Sequence, residues 1–237
     1  MILRIMSDLE LILIVFGIFV ITCSLFIYSK IRDFKLLRTV TKSNRGTPSE
    51  RNLVLKLLKN GIPAETIFHD LYLQKHNGTF SQIDLVVATK VGIIVFEVKD
   101  YSGWIFGNGN YSHWTQVLAY GKQKYRFYNP IKQNNSKVQA LRKRIGNVPF
   151  YSVVVFYGDC VLKEIDFVPA GTFLVKSNRV LEVMRMIINN NESAQYASKN
   201  EVVRILKEAV TNGENKEIQN RHIDNINDML GKDRIFE

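Results

Sequence analysis

A mixed α/β sheet flanked by helices, preceded by one transmembrane helix, is the architecture that this 237-residue sequence predicts. Three observations carry it. Leu11 to Tyr28 (LILIVFGIFVITCSLFIY) is free of charge over about 18 residues, the lower end of what crosses a hydrocarbon core as a helix. β-branched and aromatic runs bounded by turn residues fill much of 66–118. Beyond residue 129, helical periodicity alternates with further apolar runs, which places helices on the faces of a sheet.

Composition narrows the function classes. With 46% apolar and 11% aromatic residues, the chain suits one packed domain with appendages and not a disordered protein. Cys23 and Cys160 are far apart and have no partners at metal spacing, which excludes a disulfide framework and a zinc site. The net charge of +10 exceeds what the basic cluster after the apolar run explains, so the remainder is basic itself and suits a polyanionic partner.

Residues 1–10 form a short tail and 11–29 the span. A signal peptide is the competing reading. Against it stand the length of the apolar run, the lack of a basic lead and the lack of an A-x-A-like site after it. The tail mixes Arg4 with Asp8 and Glu10, whereas the linker over 30–45 carries Lys30, Arg32, Lys35, Arg38, Lys42 and Arg45. By the positive-inside rule the bulk of the chain is cytoplasmic. The same cations have a plainer use against anionic lipid, at about 1 kcal/mol each.

An α/β domain is expected over 46–189. Thr47-Pro48-Ser49-Glu50 opens a helix, with Thr as the cap, Pro at the first position and Glu three residues after the cap. Leu53, Val54, Leu57 and Leu58 give it an apolar stripe, and Gly61 ends it. Thr66 to Gln74 reads as a strand and His76-Asn77-Gly78 as a turn. Gln82 to Ala88 and Ile93 to Val98 are strands of a hairpin turned at Thr89-Lys90-Val91-Gly92. Trp104 to Gly107 and Trp114 to Leu118 continue the sheet. Asn129-Pro130 starts a helix to Ile145 with Ile131, Val138 and Leu141 on one side. Phe150 to Phe156 and Thr172 to Val175 are strands, and Val180 to Ile188 a helix. The remainder, 190–237, reads as a polar linker and a peripheral appendage of two helices, Glu201 to Thr211 and Glu217 to Leu230.

The hairpin carries the chemistry. If Lys90 and Val91 form its loop, Asp84 and Glu97 stand equally far from the turn and face each other across the strands, and Lys99 shares their side. Two carboxylates about 5 Å apart repel unless a cation lies between them. A divalent site for Mg²⁺ or Mn²⁺ is the sharper reading, with Lys99 serving the attacking water or the developing charge; a salt-bridge cluster with Lys99 is the plainer one. Glu50 fits a helix cap, yet it shares a helical face with Val54 and Leu57 and so also points toward the sheet. Gln82 shares the face of Asp84, and Gln116 lies either on a strand or one helical turn before Tyr120. Lys122, Lys124 and Arg126 interleave with aromatics in KQKYRFY. Gln133, Lys137 and Arg144 line the polar side of the next helix. Such cations suit phosphates and stacked bases, or simply a solvated face. The four histidines lack zinc spacing and no serine lies in a G-x-S-x-G context.

SER at 49–51, FSQIDLVV at 80–87, VGIIVFEVKDYSGWIFG at 91–107, HWTQ at 113–116 and YNPIKQN at 128–134 come in the order found in one family. The segment from about 43 to 144 resembles the NERD (nuclease-related) domain, itself similar to the PD-(D/E)xK restriction-endonuclease-like superfamily. The resemblance implies a restriction-endonuclease-like sheet, with Glu50 as first-helix acid, Asp84 as metal-binding aspartate, Glu97 and Lys99 as the E-x-K pair, and Gln133 in the site region. Ser49 stands where the family often has Gly, and Ile83 where the wider superfamily has Pro. The function this leads to is a membrane-anchored, Mg²⁺-dependent nuclease acting on DNA, with RNA left open. The alternative is a non-catalytic, membrane-tethered nucleic-acid-binding or scaffold module.

Overall fold

The computed structural model describes residues 8–75, 78–118 and 121–233. The His76-Asn77 turn, Tyr120 and the first seven residues of the tail lie outside these.

Helix α1 (Asp8–Leu37) contains the apolar run and does not stop where the basic linker was expected to begin. Its stretch from Leu11 to Leu37 is long and apolar enough to cross a membrane, and its most apolar window lies wholly outside the protein interior. Its last part touches the domain: Asp33 pairs with Lys59 at 2.6 Å and Leu37 packs on the core, as does Val40 just beyond the helix.

Helix α2 (Pro48–Lys59) begins as its sequence dictates, with Thr47 in an extended conformation accepting a hydrogen bond from the Glu50 N–H. A short 3₁₀ turn (Ala64–Thr66) leads into β1 (Ile67–Gln74), followed by β2 (Phe80–Thr89) and β3 (Gly92–Asp100). The β2–β3 register runs from Thr89 opposite Gly92 to Leu85 opposite Phe96, so the loop is Lys90-Val91. After β4 (Gly103–Asn108), β5 (His113–Leu118) and β6 (Gln123–Tyr128) comes α3 (Pro130–Ile145), capped by the Asn129 side chain. Strands β7 (Phe150–Tyr157), β8 (Cys160–Asp166) and β9 (Thr172–Lys176) precede α4 (Val180–Asn189), α5 (Lys199–Asn212) and α6 (Lys216–Asp233).

Where one central sheet was expected, the strands form two. The larger has the order β1-β2-β3-β7-β9 and the smaller β6-β5-β4-β8. In the larger, β1 to β3 are antiparallel, while β3, β7 and β9 run parallel. The break falls at Gly103. Its φ of +76° and lack of a side chain let the Val117 carbonyl lie against it, which turns the chain out of β3's sheet.

The larger sheet is covered on both faces. Leu85, Val87, Ile94 and Phe96 meet Leu53, Val54 and Leu57 of α2 together with α4. Val86, Ile93 and Val95 meet Val138 and Leu141 of α3 and Val202, Ile205 and Leu206 of α5. A third cluster of Ile105, Trp114, Ile131, Val154 and Phe156 joins the two sheets. The α5 helix is therefore no appendage: it supplies part of one core, at a spacing of i, i+3, i+4 and i+7 through Ala209.

Candidate active site

Pairing between β2 and β3 ends at Leu85 opposite Phe96, one step before Asp84 and Glu97. The Asp84 carboxylate takes over there: its Oδ2 accepts a hydrogen bond from the Val98 N–H at 2.8 Å, so a side chain satisfies a backbone donor that the ladder leaves free. The strands part around two acids on the face that α3 covers.

Both acids are buried, Asp84 to 8% and Glu97 to 1% residual exposure, where an unpaired charge would be costly. The cation between them comes from α3. Lys137 Nζ lies 2.6 Å from Asp84 Oδ1 and 2.5 Å from Glu97 Oε2. Burial pushes the Lys137 ammonium toward the neutral form, but Asp84 and Glu97 outweigh it and hold its pKa above the ordinary lysine value. Lys99 Nζ lies 2.7 Å from Glu97 Oε1 and donates to Gln133 Oε1 at 2.9 Å. Two acids and two ammonium groups thus balance, and every carboxylate oxygen of the pair has a partner.

Asn134, one residue after Gln133, fixes the height of α3 over the sheet. Its buried amide donates to the Val95 carbonyl and to Ser152 Oγ, both at 2.9 Å. Tyr101 flanks the end of β3, and burial raises the pKa of its phenol, with Lys99 opposing and Glu97 adding to the shift.

Glu50 is held apart from this group. Its helix packs on the other face, its Oε1 accepts from the Thr47 hydroxyl at 2.9 Å, and its Oε2 faces His69 Nε2 at 3.4 Å. Thr41 Oγ1 completes that row at 2.8 Å from His69 Nδ1. Gln82 turns from Asp84 to Asp70 Oδ1, at 2.9 Å. Asp70 is a left-handed residue inside a strand, with φ of +54°, clasped by Arg45: Nε donates to its Oδ2 at 2.7 Å and Nη2 to its carbonyl at 2.5 Å. Burial, reinforced by the charge of Asp70, raises the pKa of neighbouring Tyr72 to about 12.

The remaining expected residues sit elsewhere. Gln116 lies on β5 and donates to the Ser102 carbonyl at 2.8 Å, so of the two readings it takes the strand. Lys122, Lys124 and Arg126 are exposed on or next to β6, with no ion pair among the described residues. Arg144 contacts Glu208 at 3.8 Å at the far end of α3. Lys137, expected among the cations turned toward nucleic acid, is instead buried between the two acids. The signal that could have moved it was its place one helical turn after Gln133.

Asp84 and Glu97 are hard oxygen donors that already converge on one cation, so in kind they suit a divalent ion. Among the described residues, however, no three His, Cys, Asp or Glu side chains gather around a metal position. The cation between the two acids is the Lys137 ammonium.

Residues 45–157 match the family described as nuclease-related domain, a span that encloses every member of the Asp84 and Glu50 groups apart from Thr41. An uncharacterised protein of Bacillus anthracis is 29% identical over 123 residues, which cover 52% of this chain and 57% of that relative. The aligned region is thus little more than half the length of the relative. No solved structure matches the chain. The parted β2–β3 hairpin and the helix that closes it lie within residues 45–157, the part of this chain that matches the nuclease-related domain family.

Proposed function

We propose that the domain hydrolyses phosphodiester bonds in DNA, held at the cytoplasmic face of a membrane by α1. The observation that carries this reading is the meeting of Asp84, Glu97, Lys99 and Gln133 at one parted hairpin inside a nuclease-related domain. Asp84 and Glu97 would hold Mg²⁺ or Mn²⁺, which when bound supplies Lewis acidity at a phosphate oxygen and lowers the pKa of water. Glu50, engaged with Thr47 and His69 on the other face of the sheet, takes no part in this set.

The chain's own groups then have distinct tasks. Gln133 holds Lys99 Nζ at the mouth of the pair, where the ammonium can orient water or face charge developing on phosphate. Lys99 is the more accessible of the two ammonium groups, its side chain 16% exposed against 8% for Lys137. Lys122, Lys124 and Arg126 supply exposed cations for the nucleic-acid backbone. The basic stretch after the apolar run supports a cytoplasmic domain.

The test is full-length protein in detergent with labelled DNA, with and without Mg²⁺. Cleavage should require the ion and fall by at least about a hundredfold in both Asp84→Asn and Lys99→Met, as expected when electrostatic stabilisation is removed. Cleavage unchanged in either variant overturns the assignment. A second reading, a non-catalytic membrane-tethered binding or scaffold module, is favoured by one observation: Lys137 already neutralises the acid pair. It predicts DNA binding that weakens with salt but survives chelation and Asp84→Asn.

A further inference from the structure

We propose that Lys137 is a built-in counter-ion that occupies the divalent-cation position of the Asp84–Glu97 pair, so that a metal enters only by displacing it. This rests on reading the pair as a cation site and adds how that site is controlled. The geometry is specific: one Nζ bridges one oxygen from each acid, at 2.6 and 2.5 Å, from a residue only 6% exposed. The remaining oxygens are taken by the Val98 N–H and by Lys99. With two ammonium groups against two carboxylates the cluster is electrically complete, and a divalent ion added to it would lie against Lys137 at contact distance in a buried setting. Metal and ammonium therefore exclude one another.

The position of Lys137 on α3 supports a displaceable group. Asn134, one turn earlier on the same helix, pins the backbone to the Val95 carbonyl and Ser152, so Nζ can leave by rotation of its four-carbon stem without moving the helix. Gln133, on the same turn, keeps its bond to Lys99. The domain at rest would then resist metal loading. Withdrawal of Nζ, for instance toward an arriving phosphate, opens the site only when an anion is present to receive the displaced charge.

The probe is Mn²⁺, with binding read by loss of the free-ion paramagnetic signal and by the shift in thermal unfolding, on full-length protein in detergent. Lys137→Met should bind one Mn²⁺ at least about tenfold more tightly than the unsubstituted protein, because the competing charge is gone. It should be stabilised by Mn²⁺ where the unsubstituted protein is not, and adding Asp84→Asn should abolish both effects. Equal Mn²⁺ affinity with and without Lys137 overturns the proposal. Lys137→Gln serves as a second variant, since either substitution leaves the buried acid pair one positive charge short, with Lys99 still on Glu97. If both fold only with Mn²⁺, the ion is replacing the ammonium. If neither folds even with Mn²⁺, Lys137 is a structural ion-pair partner and the proposal fails. DNA cleavage is a separate readout: an Mn²⁺ site that opens in Lys137→Met without any cleavage retires the nuclease reading and leaves this one standing.

Discussion

Arg45→Met should be among the most damaging single substitutions outside the cores. Arg45 and Asp70 are 6% and 4% exposed at their side chains, and their ion pair at 2.7 Å is accompanied by the Arg45 Nη2 bond to the Asp70 carbonyl. Gly213 closes the cluster, since a Cβ there would meet the Arg45 guanidinium and the Asp70 carbonyl. Removing one partner of a buried pair leaves the other charge unmatched, a loss of about 3–5 kcal/mol. Here it also frees a backbone held at φ of +54°. At roughly 2–4 °C per kcal/mol for a domain of this size, the unfolding temperature should drop by about 6–20 °C. Circular dichroism of the full-length protein in detergent gives the measurement. The double variant Arg45→Met with Asp70→Asn should recover at least half of the loss, because Asn accepts the left-handed conformation and no bare charge remains. A drop worth less than about 1 kcal/mol, the value of an exposed pair, or simple additivity in the double variant, would refute the burial argument.

Three further outcomes follow from local geometry. Thr47→Ala removes the hydroxyl that caps α2 and bonds Glu50, and should cost about 1 kcal/mol in urea unfolding. Gly107→Ala drives a Cβ into the buried Trp114 ring; about 1–3 kcal/mol should be lost and the indole emission should shift, whereas an unchanged spectrum would show that the ring can yield. His222, stacked edge-on against Tyr72 and bonded to the Phe80 carbonyl, has a pKa lowered below 6.5 mainly by burial. Because the folded state favours its neutral form, its contribution is present above the unfolded value and is lost as pH falls through the folded one. Its proton resonances should titrate below 6.5, and a midpoint above that value would sink the claim.

Much of the hairpin was legible because its determinants are local. Val91-Gly92 permits a tight loop, and once the loop is fixed the period of two sets Asp84 across from Glu97 without any knowledge of the remaining fold. The start of α2 at Thr47 and of α3 at Asn129-Pro130 were legible for the same reason: cap and first turn are neighbours in sequence. Lys137 was not, because a lysine on a polar helix face normally points to water, and only the docking of α3 on the parted strands turns it inward. Strand β8 escaped since CVLKEID lies at the edge of the smaller sheet with most side chains exposed, which erases the alternation. The α5 stripe was present in the residues, but the polar stretch before it suggested a tail, and its partners on β1 and β2 are more than a hundred positions away.

The unbroken passage of α1 from its apolar run into the domain has a mechanical consequence. From Tyr28 to Leu37 the helix advances about 14 Å, at about 1.5 Å per residue, and then locks in through Leu37 and the Asp33–Lys59 pair. A flexible leash would let the domain tumble in any direction about its attachment. A stiff stalk does not: the helix fixes the distance and tilt of the parted hairpin relative to the apolar stretch. Inserting a few glycines after Tyr28 would convert the stalk into a leash without touching a residue of the acid pair.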